Sequence, residues 1–477
     1  MFNMVGQLST EVREARDRVR TALKNSGFDL PYGRITVNFS PADRHKSGTG
    51  FDLAIAISLL KAMGCIGFNE NEFMFIGELA LDGSILKVNG MLPILNMAKD
   101  CGIRVCFIPK GNVNEAYLVN GLSVVVVEDL LQVIEYIRNG YFDKENDNTI
   151  IKSSEDESYE DFADILGQEE AKRAVMIAAA GWHNLLMIGP PGVGKSMIAS
   201  RMPYIMDELT QEESVQVSNI HSICGLFTNS SLIKKRPYAA PHHSASVASI
   251  IGGGYNPKPG LISIANKGIL FLDELPEFKQ NVIDSLRQPL ESKRIMLHRL
   301  SGDYVFPADC LIVAAMNPCK CGYYPDRNKC SCSINEVKRY LGKISGPMMD
   351  RMDMCTEVSR VLPEYLQEFD KRDDNKLLNT KIMNDMVLNA ISFRKDRQGD
   401  IKNSLLNHEE IHLYCKLGKS EKDFMKEAYI KFNMSMRSYY KSIKVARTIA
   451  DLEGVTDIGI SHLAEALGYR LGGFIER

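Results

Sequence analysis

The sequence lacks the features of membrane, secreted and strongly basic proteins. Its apolar runs, such as residues 53–60, fall well short of the roughly 20 residues that a transmembrane helix needs. No positively charged segment followed by an apolar core opens the chain, so no signal peptide is predicted. The net charge of −3 gives no overall basic surface, and any contact with nucleic acid must be local. We expect no membrane partner.

The sequence also lacks the pattern of a disulfide framework. Its 11 cysteines are odd in number and scattered, which fits a reducing, cytoplasmic compartment with thiols that are buried or bound to metal. The hydrophobic share of 45% and the charged share of 25% are ordinary for globular proteins. Because 477 residues exceed one hydrophobic core, we expect two or three domains.

What the sequence does contain is a phosphate-binding loop. Residues 185–200 read LLMIGPPGVGKSMIAS, which is the strand, loop and helix context that the pattern G-x-x-x-x-G-K-[ST] requires. Lys195 would reach the β- and γ-phosphates of ATP, and the Ser196 hydroxyl would hold Mg²⁺. The alternative is a glycine-rich turn with a chance lysine. The predicted nucleotide-binding residues are Gly189, Pro190, Pro191, Gly192, Val193, Gly194, Lys195 and Ser196.

A second nucleotide signature follows at residues 268–274, which read GILFLDE. Its apolar residues predict a buried strand, and its carboxylates stand at the strand end where open α/β sheets bind ligands. Asp273 is predicted to hold Mg²⁺ and Glu274 to polarise the attacking water, although such a pair can also cap a helix. A further strand at 311–316 ends in Asn317, whose amide can bond the γ-phosphate or the water; an Asn-Pro pair alone indicates only a turn.

Four cysteines lie close together just after Asn317. Four thiolates on one short loop can close a tetrahedral Zn²⁺ site, although the C-x-C spacing makes adjacent ligands splay. The alternatives are four free thiols or a disulfide, which a reducing compartment disfavours. A structural metal here would pin the loop beside Asn317. The candidate ligands are Cys319, Cys321, Cys330 and Cys332.

Hydrophobic periodicity outlines the remaining chain. Residues 9–26 predict an amphipathic helix, 34–40 a strand and 52–63 another helix, so the N-terminal domain is of the α+β class. A polar and mostly acidic stretch after it predicts an interdomain linker or an exposed loop. The predicted units are residues 1–142, the linker 143–161, the ATPase core 162–360 with its cysteine loop 319–332, and the helical lid 361–477.

The order of phosphate loop, acidic strand and Asn-ended strand is that of AAA+ ATPases. More specific segments are residues 236–243, 252–254, 259–260, 275–278, 317–319 and 446–452. With these, nearly the whole chain resembles the YifB/ComM family of magnesium-chelatase-like AAA+ ATPases. The resemblance implies an α/β fold, an AAA+ P-loop NTPase core with a helical lid, that hydrolyses ATP with Mg²⁺ as a hexameric ring. It also implies action on DNA, because ComM proteins are regarded as helicases that promote branch migration in natural transformation.

The family pattern also implies roles for two arginines. Arg351, in the segment SGPMMDRMD, matches the arginine finger that reaches the neighbouring subunit's site and stabilises charge on the transferring phosphoryl group. Arg437 matches the lid arginine that senses the γ-phosphate, with Arg447 as a weaker rival. Each of them is alternatively a surface arginine in a salt bridge, which contributes little to stability.

Residues 77–83 and 108–112 give the N-terminal domain a resemblance to the Lon-protease-like domain. That domain uses a Ser–Lys dyad, but here Gly50 stands in place of the serine and Ile94 in place of the lysine. Neither side chain can act as a nucleophile or a base. The resemblance therefore implies a Lon-like fold that lacks the catalytic dyad and serves assembly or binding. Against the family pattern, the domain is expected to be incomplete at its N-terminus.

Two positions ahead of the acidic strand depart from the family pattern. Leu261 and Asn266 stand where the family usually has Glu and His. The role of that Glu is therefore not carried over to this chain, whereas every predicted ATPase residue is present.

Two segments are candidates for hairpins that project into the channel of a ring motor: residues 250–259 and 291–305. The second carries basic residues beside a turn, and such a tip can follow a phosphate backbone without reading sequence. A solvated hairpin is the alternative. Tyr255 and Tyr304 can stack on bases, but strand tyrosines more often pack. The predicted DNA contacts are Lys293, Arg294 and Arg299.

The sequence as a whole predicts an ATP-hydrolysing ring motor that acts on single-stranded or branched DNA without sequence specificity. The alternatives are a chelatase-type motor and a protein-remodelling ATPase. The Lon-like half argues against a chelatase, whose motor subunit does not need that domain. The missing dyad argues against proteolysis but not against remodelling.

Overall fold

The computed structural model describes residues 2–41, 45–141, 160–254, 257–299, 302–326, 328–360 and 378–470. Most of the predicted linker, the first part of the predicted lid, and the candidate residue Tyr255 lie outside the described residues. Within these ranges, no helix combines the length and the apolar composition that crossing a membrane requires.

The N-terminal region is an α+β unit, as predicted. Strands β1 and β2 pair in parallel, β3, β6 and β7 form a parallel three-stranded sheet, and β4 and β5 form an antiparallel pair. The strands are β1 (Phe2–Val5), β2 (Ile35–Asn38), β3 (Phe73–Phe75), β4 (Glu78–Leu79), β5 (Ile85–Leu86), β6 (Val105–Pro109) and β7 (Ser123–Val127). The helices are α1 (Thr10–Asn25), α2 (Asp52–Ala62), α3 (Met91–Asp100), α4 (Val113–Ala116) and α5 (Leu130–Asn139).

Helix α1 shows how local sequence sets this unit. Ser9 caps it, because its side chain accepts a hydrogen bond from the Val12 N–H at 3.3 Å. The helix buries the apolar face that its periodicity predicts. The two positions aligned with the Lon dyad are packing positions. A Cβ on Gly50 would lie 3.1 Å from Val88 Cγ1, and Ile94, within α3, is partly buried against an apolar cluster.

The predicted ATPase core is built on a five-stranded parallel sheet. Its strand order is β16–β8–β15–β12–β9, and β8, β12 and β15 are buried along their whole length, as expected for strands covered on both faces. Two antiparallel pairs, β10–β11 and β13–β14, lie outside this sheet. The strands are β8 (Leu185–Ile188), β9 (Tyr238–Ala239), β10 (Gly252–Gly253), β11 (Lys258–Pro259), β12 (Ile269–Leu272), β13 (Arg294–Arg299), β14 (Gly302–Pro307), β15 (Leu311–Met316) and β16 (Met354–Glu357).

Helices cover both faces of the sheet. One apolar cluster joins alternate strand residues to α6, α7 and the helical lid, and the other joins the remaining strand residues to α9, α10 and α11. The core helices are α6 (Glu169–Gly181), α7 (Lys195–Arg201), α8 (Gln211–Ile223), α9 (Val247–Ile251), α10 (Leu261–Ile264), α11 (Gln280–Ser285), α12 (Arg287–Ser292), α13 (Ile334–Leu341) and α14 (Gly346–Met349). The lid helices are α15 (Thr380–Gln398), α16 (His408–Tyr414), α17 (Lys419–Lys431), α18 (Met436–Leu452) and α19 (Ile460–Gly468).

Asp161, the last residue of the predicted linker, contacts the first residue of α15. Asp161 belongs to the core, since its carboxylate accepts hydrogen bonds from the Thr380 N–H at 2.7 Å and the Thr380 hydroxyl at 2.8 Å. It thereby fixes the start of the core to the first turn of α15. A carboxylate that caps a turn and binds a lid helix was indistinguishable from its acidic neighbours in the sequence.

Helix α8 of the core docks onto the N-terminal unit. The Gly90 N–H donates to the Ser222 carbonyl at 2.9 Å, and the Ser222 hydroxyl donates to the buried Glu115 carboxylate. Glu115 also accepts from the Leu92 N–H at 3.0 Å and from Asn112 Nδ2 at 2.8 Å. The buried carboxylate is therefore satisfied by groups of both units, which makes this junction specific.

Candidate nucleotide site

The phosphate loop folds as predicted, between the buried strand β8 and the first residue of α7. Gly192 and Gly194 have φ angles of 77° and 94°, in the region that favours glycine. Gly189 is required for a different reason: a Cβ there would lie 2.2 Å from the Val358 carbonyl oxygen. The conformation of the phosphate loop therefore requires glycine for two reasons: the positive φ angles of Gly192 and Gly194, and the close packing of Gly189 against the chain after β16.

The ammonium of Lys195 lies inside the phosphate loop. It donates to the carbonyls of Gly189 at 2.7 Å and Pro190 at 2.8 Å, and to Asn317 Oδ1 at 3.1 Å. Burial lowers the pKa of Lys195, while the nearby carboxylates of Asp273 and Glu274 oppose that shift. A buried ammonium placed between the loop and Asn317 is positioned to attract phosphate oxygens.

The two predicted magnesium ligands are in direct contact. The Ser196 hydroxyl donates to Asp273 Oδ2 at 2.7 Å, and the other carboxylate oxygen accepts from the Glu274 N–H at 2.9 Å. A hydroxyl and a carboxylate are the hard oxygen donors that Mg²⁺ prefers, usually together with water and substrate phosphate. The donor set therefore fits Mg²⁺.

Glu274 stands at the end of β12 in a strained backbone conformation. Its φ of 52° lies in the left-handed region, which a non-glycine residue adopts at a cost, and such strain concentrates at functional sites. Its carboxylate is half-exposed and lies 3.4 Å from His243 Nδ1. Sequence reasoning gave His243 no role, although this residue ends the segment 236–243 that carries part of the family resemblance.

The phosphate loop, the two carboxylates and Asn317 line one cavity of about 360 Å³. The structure therefore brings together the loop residues, both carboxylates and the amide that the sequence predicted separately. The cavity is lined by Pro191, Gly192, Val193, Gly194, Lys195, Ser196, Met197, Asp273, Glu274, Met316 and Asn317.

The two predicted arginines are not among the residues that line this cavity. Arg351 is buried; its Nη1 donates to the Pro347 carbonyl at 2.6 Å, and its Nη2 pairs with Glu291. Arg437 is exposed and lines another cavity, of about 230 Å³, together with Asp350. Arg437 thus shares a cavity with Asp350, the sequence neighbour of Arg351, whereas the Arg351 side chain is held by the Pro347 carbonyl and Glu291.

Arg447, the weaker rival, has a structural environment. It is 1% exposed, and its guanidinium bonds Asp451 and the carbonyls of Val455 and Thr456. All of these partners belong to α18 and the turn after it. Arg447 therefore stabilises the C-terminal end of α18 and is not available to a nucleotide.

The four predicted zinc ligands converge. Their sulfur atoms all lie within 4.8 Å of one another, with 3.3 Å between Cys319 and Cys321 and 3.8 Å between Cys319 and Cys330. Cys319 and Cys330 are buried, whereas Cys321 and Cys332 are half-buried. This set can hold a metal ion.

Strands β13 and β14 form the antiparallel pair expected for the hairpin predicted in segment 291–305, with Arg294 opposite Pro307 and Arg299 opposite Gly302. Arg294 and Arg299 are exposed. Lys293 differs from them, because it precedes the strand and its ammonium pairs with Asp309 at 3.1 Å. The two arginines are therefore the cations that this hairpin presents to solvent.

The second candidate hairpin lies beside the first. A Cβ on Gly253, in β10, would lie 3.6 Å from Arg299 Nη2. Leu261 and Asn266, the two departures from the family pattern, belong to the segment 250–266 that carries this second hairpin and is called the insert below. Asn266 is fully buried, donates to Gln216 Oε1 at 3.0 Å and accepts from the Asp309 N–H at 2.9 Å, while Leu261 packs into the adjoining core. Asn266 thus has a structural role.

Comparison with known proteins agrees with this architecture. Three family models match: "Subunit ChlI of Mg-chelatase" over residues 1–112, "Magnesium chelatase, subunit ChlI" over 161–366, and its C-terminal region over 378–470. Competence protein ComM of Haemophilus influenzae is 42% identical over 474 residues, which cover 98% of this chain and 92% of that protein. The chain belongs to the YifB/ComM family of magnesium-chelatase-like AAA+ ATPases.

Two other relatives of this family member differ greatly in coverage. YifB of Escherichia coli is 37% identical over 471 residues, which cover 98% of this chain and 91% of that protein. A putative Lon protease homologue of Thermoplasma acidophilum is 48% identical over only 48 residues, 10% of either chain. Family membership thus extends over both units and the lid, whereas similarity to a Lon protease is confined to a short stretch.

Proposed function

We propose that this family member is an ATP-hydrolysing ring motor that acts on DNA, as a branch-migration helicase does. The observation that carries the proposal is the convergence of Lys195, Ser196, Asp273, Glu274 and Asn317 on one cavity. Each of these side chains has a role in phosphoryl transfer from ATP, and the parallel sheet places them at the carboxyl ends of its strands.

The chemistry follows from the positions of these groups. Lys195 would bind the β- and γ-phosphates, while Ser196 and Asp273 would hold Mg²⁺. The bound ion would supply positive charge against the phosphate oxygens. Glu274 would orient and polarise the attacking water, and Asn317, already bonded to Lys195, would align the γ-phosphate or that water.

Arg351 and Arg437 would complete the site of a neighbouring subunit. Neither arginine lines the cavity of its own chain, as expected for groups that act across a subunit interface. We therefore propose a closed ring, hexameric as the family resemblance implies. Arg351 would be released from Glu291 when it meets the neighbour's γ-phosphate.

The two neighbouring hairpins are the proposed DNA contact. Arg294 and Arg299 are exposed on one of them, and Arg299 lies beside Gly253 of the other. Backbone contacts of this kind are sequence-independent and sensitive to salt. Since the net charge is −3, binding should depend on the ring, where six copies of this local basic patch come together.

The remaining proposals concern the frame of the motor. Residues 1–142 form a Lon-like domain without its dyad, residues 162–360 the ATPase core, and residues 361–477 the lid. Gly50 and Ile94 at the dyad positions support the first of these assignments. The four clustered cysteines support a structural Zn²⁺ in the core.

One experiment tests the motor. ATP hydrolysis by the purified full chain is measured with and without forked DNA, for the wild type, Lys195→Ala and Glu274→Gln. We expect DNA to stimulate the wild type. Lys195→Ala should lose both ATP binding and hydrolysis, whereas Glu274→Gln should keep binding and lose hydrolysis by about a hundredfold or more.

The same assay separates the alternatives. Absence of ATP hydrolysis by the wild type would contradict the ATPase. Hydrolysis that forked DNA does not stimulate, but that a protein partner does, would contradict the DNA motor and favour a chelatase-type or protein-remodelling ATPase.

A further inference from the structure

The cysteine loop 319–332 packs directly against the phosphate loop. Gly322, with a φ of 87°, lies so close to Pro191 that a Cβ would come within 2.5 Å of the proline Cδ. The same loop begins two residues after Asn317, which accepts a hydrogen bond from Lys195. The cysteine loop therefore touches the nucleotide cavity at two points, through a van der Waals contact and through the backbone.

The arrangement of the sulfur atoms is that of a tetrathiolate metal site. A tetrahedron with metal–sulfur bonds of about 2.3 Å has edges of about 3.8 Å. The Cys319–Cys330, Cys321–Cys330 and Cys319–Cys321 separations are 3.8, 3.6 and 3.3 Å, and all four sulfurs lie within 4.8 Å of one another. A disulfide would need about 2.0 Å. The cluster therefore matches an ion bound by all four sulfurs better than it matches a disulfide.

The surroundings of the cluster also suit a structural metal. The Tyr324 N–H points at Cys319 Sγ at 3.4 Å, the kind of second-sphere hydrogen bond that orients a thiolate ligand. Helix α13 begins just after Cys332 with a reciprocal cap between Ser333 and Glu336. The loop is thus fixed at one end by β15 and at the other by α13, and its middle depends on the sulfur cluster.

We infer that Zn²⁺ on these four cysteines holds Gly322 against Pro191, so that metal loading sets the affinity of the phosphate loop for ATP. The inference rests on the ATP-binding role proposed above. Zn²⁺ is the soft, four-coordinate ion that such a thiolate set selects. Without the ion, nothing cross-links the two halves of the cysteine loop. Gly322 is then no longer held against Pro191, and the chain just after Asn317 is no longer held in place.

The test uses the full chain and separates metal binding from nucleotide binding. The double variant Cys321→Ser/Cys332→Ser removes two ligands, Gly322→Ala disturbs the contact with Pro191 while leaving all four ligands, and Cys101→Ser is the control at an exposed cysteine outside the cluster. Zinc content is measured by elemental analysis and ATP affinity by calorimetry. Circular dichroism and thermal unfolding check that each variant is folded.

We expect about one zinc per chain in the wild type, in Cys101→Ser and in Gly322→Ala, and less than about a tenth of that in the double variant. ATP Kd should rise about tenfold in the double variant and in Gly322→Ala, and not in the control. If the double variant does not fold, wild-type protein stripped with a thiol reagent and reloaded with Zn²⁺ should lose and regain ATP affinity. Co²⁺ in place of Zn²⁺ should give the visible absorption of a tetrahedral thiolate site.

Two results would overturn the inference. One is a wild-type protein without zinc. The other is a folded, zinc-free protein that binds ATP as tightly as the wild type. Zinc-loaded wild type that binds ATP but does not hydrolyse it would contradict the proposed function instead, because zinc content and ATP affinity are measured independently of turnover.

Discussion

His243 Nδ1 lies 3.4 Å from Glu274 Oε2. The carboxylate that is proposed to polarise the attacking water is therefore contacted by a side chain from the segment after β9, which leads into the insert that carries the β10–β11 hairpin. Because the chain continues from His243 into the β10–β11 hairpin, this residue can link what the hairpin contacts to the orientation of Glu274.

His243→Ala should lower kcat for ATP hydrolysis by about tenfold and leave ATP Kd unchanged, because it removes the group that orients Glu274 but none that binds phosphate. Steady-state hydrolysis and calorimetry measure the two quantities. His408→Ala, at an exposed histidine in the lid, is the control. An unchanged kcat in His243→Ala would show that the contact has no role in hydrolysis.

The position of Arg351 outside the nucleotide cavity of its own chain predicts complementation between subunits. Arg351→Ala alone should lose hydrolysis by about a thousandfold, as expected for a missing arginine finger. Mixed with Lys195→Ala, it should regain activity, because some interfaces then combine an intact loop with an intact arginine. Hydrolysis is measured against the mixing ratio.

Glu291→Gln is the control for this experiment, since it breaks the pair with Arg351 and keeps the arginine. It should retain hydrolysis. No recovery in the mixture, with both variants assembled, would contradict a site shared between subunits.

The hairpin arginines should govern DNA affinity through the phosphate backbone. Arg294→Ala and Arg299→Ala should each weaken binding of single-stranded DNA about tenfold, equally for different sequences, and each should reduce the slope of log affinity against log salt by about one. Fluorescence anisotropy over a salt series measures both. Arg13→Ala, at an exposed position of α1, should change neither, and equal losses in all three variants would refute the hairpin as the contact.

His183 predicts a loss of stability on acidification. Its Nε2–H donates to the Thr448 hydroxyl at 2.7 Å, since that hydroxyl already donates to the Lys444 carbonyl. Burial lowers the pKa of His183 to about 4, whereas an unfolded histidine titrates near 6.5. The unfolded chain therefore takes up the proton first, and stability that is full above about pH 6.5 falls by roughly 3 kcal/mol as the pH drops to about 4.

Urea unfolding between pH 7 and 4 measures this loss. His183→Asn should show a shallower dependence of the unfolding free energy on pH, because asparagine does not titrate. His412→Asn, at an exposed lid histidine, should follow the wild type. A His183→Asn curve parallel to the wild type would contradict the assignment.

The fluorescence of Trp182, the only tryptophan of the chain, should depend on the protonation of Lys402. Its ammonium lies 3.1 Å from the centre of the Trp182 ring, and burial lowers the pKa of Lys402 to about 7, with Arg236 adding to the shift and Asp309 opposing it. Selectively excited Trp182 fluorescence should therefore titrate near pH 7. The transition should vanish in Lys402→Met and persist in the exposed control Lys395→Met.

The nucleotide site was predictable in its parts because each part is local. A strand, a glycine turn and a lysine at fixed spacing predict the phosphate loop, and two carboxylates after an apolar run predict the proposed Mg²⁺ site. Their assembly was not predictable, because β8 lies between β15 and β16, and strand order arises from pairings far apart in the chain. The same reason hid the contact between His243 and Glu274.

Other differences come from partners that spacing does not show. Lys293 is the sequence neighbour of Arg294, yet its ammonium forms an ion pair with Asp309 at the base of the hairpin. Arg351 has the sequence context of a finger, yet within its own chain it is held by Glu291 and the Pro347 carbonyl. Asp161 belongs to an acidic stretch, yet it caps a turn and binds Thr380. In each case a long-range ion pair or cap decides the position of a residue whose type alone is uninformative.

Helix α8 contacts the N-terminal unit through Ser222 and the hairpin-bearing insert through two other residues. His221 Nε2 donates to the Ile264 carbonyl at 3.1 Å, and Gln216 accepts from Asn266. Helix α8 therefore makes direct contacts with two parts of the structure that are distant in sequence. In the proposed motor, a displacement of the hairpins would therefore be transmitted through α8 to the N-terminal unit, so that residues remote from DNA would change position with those that contact it.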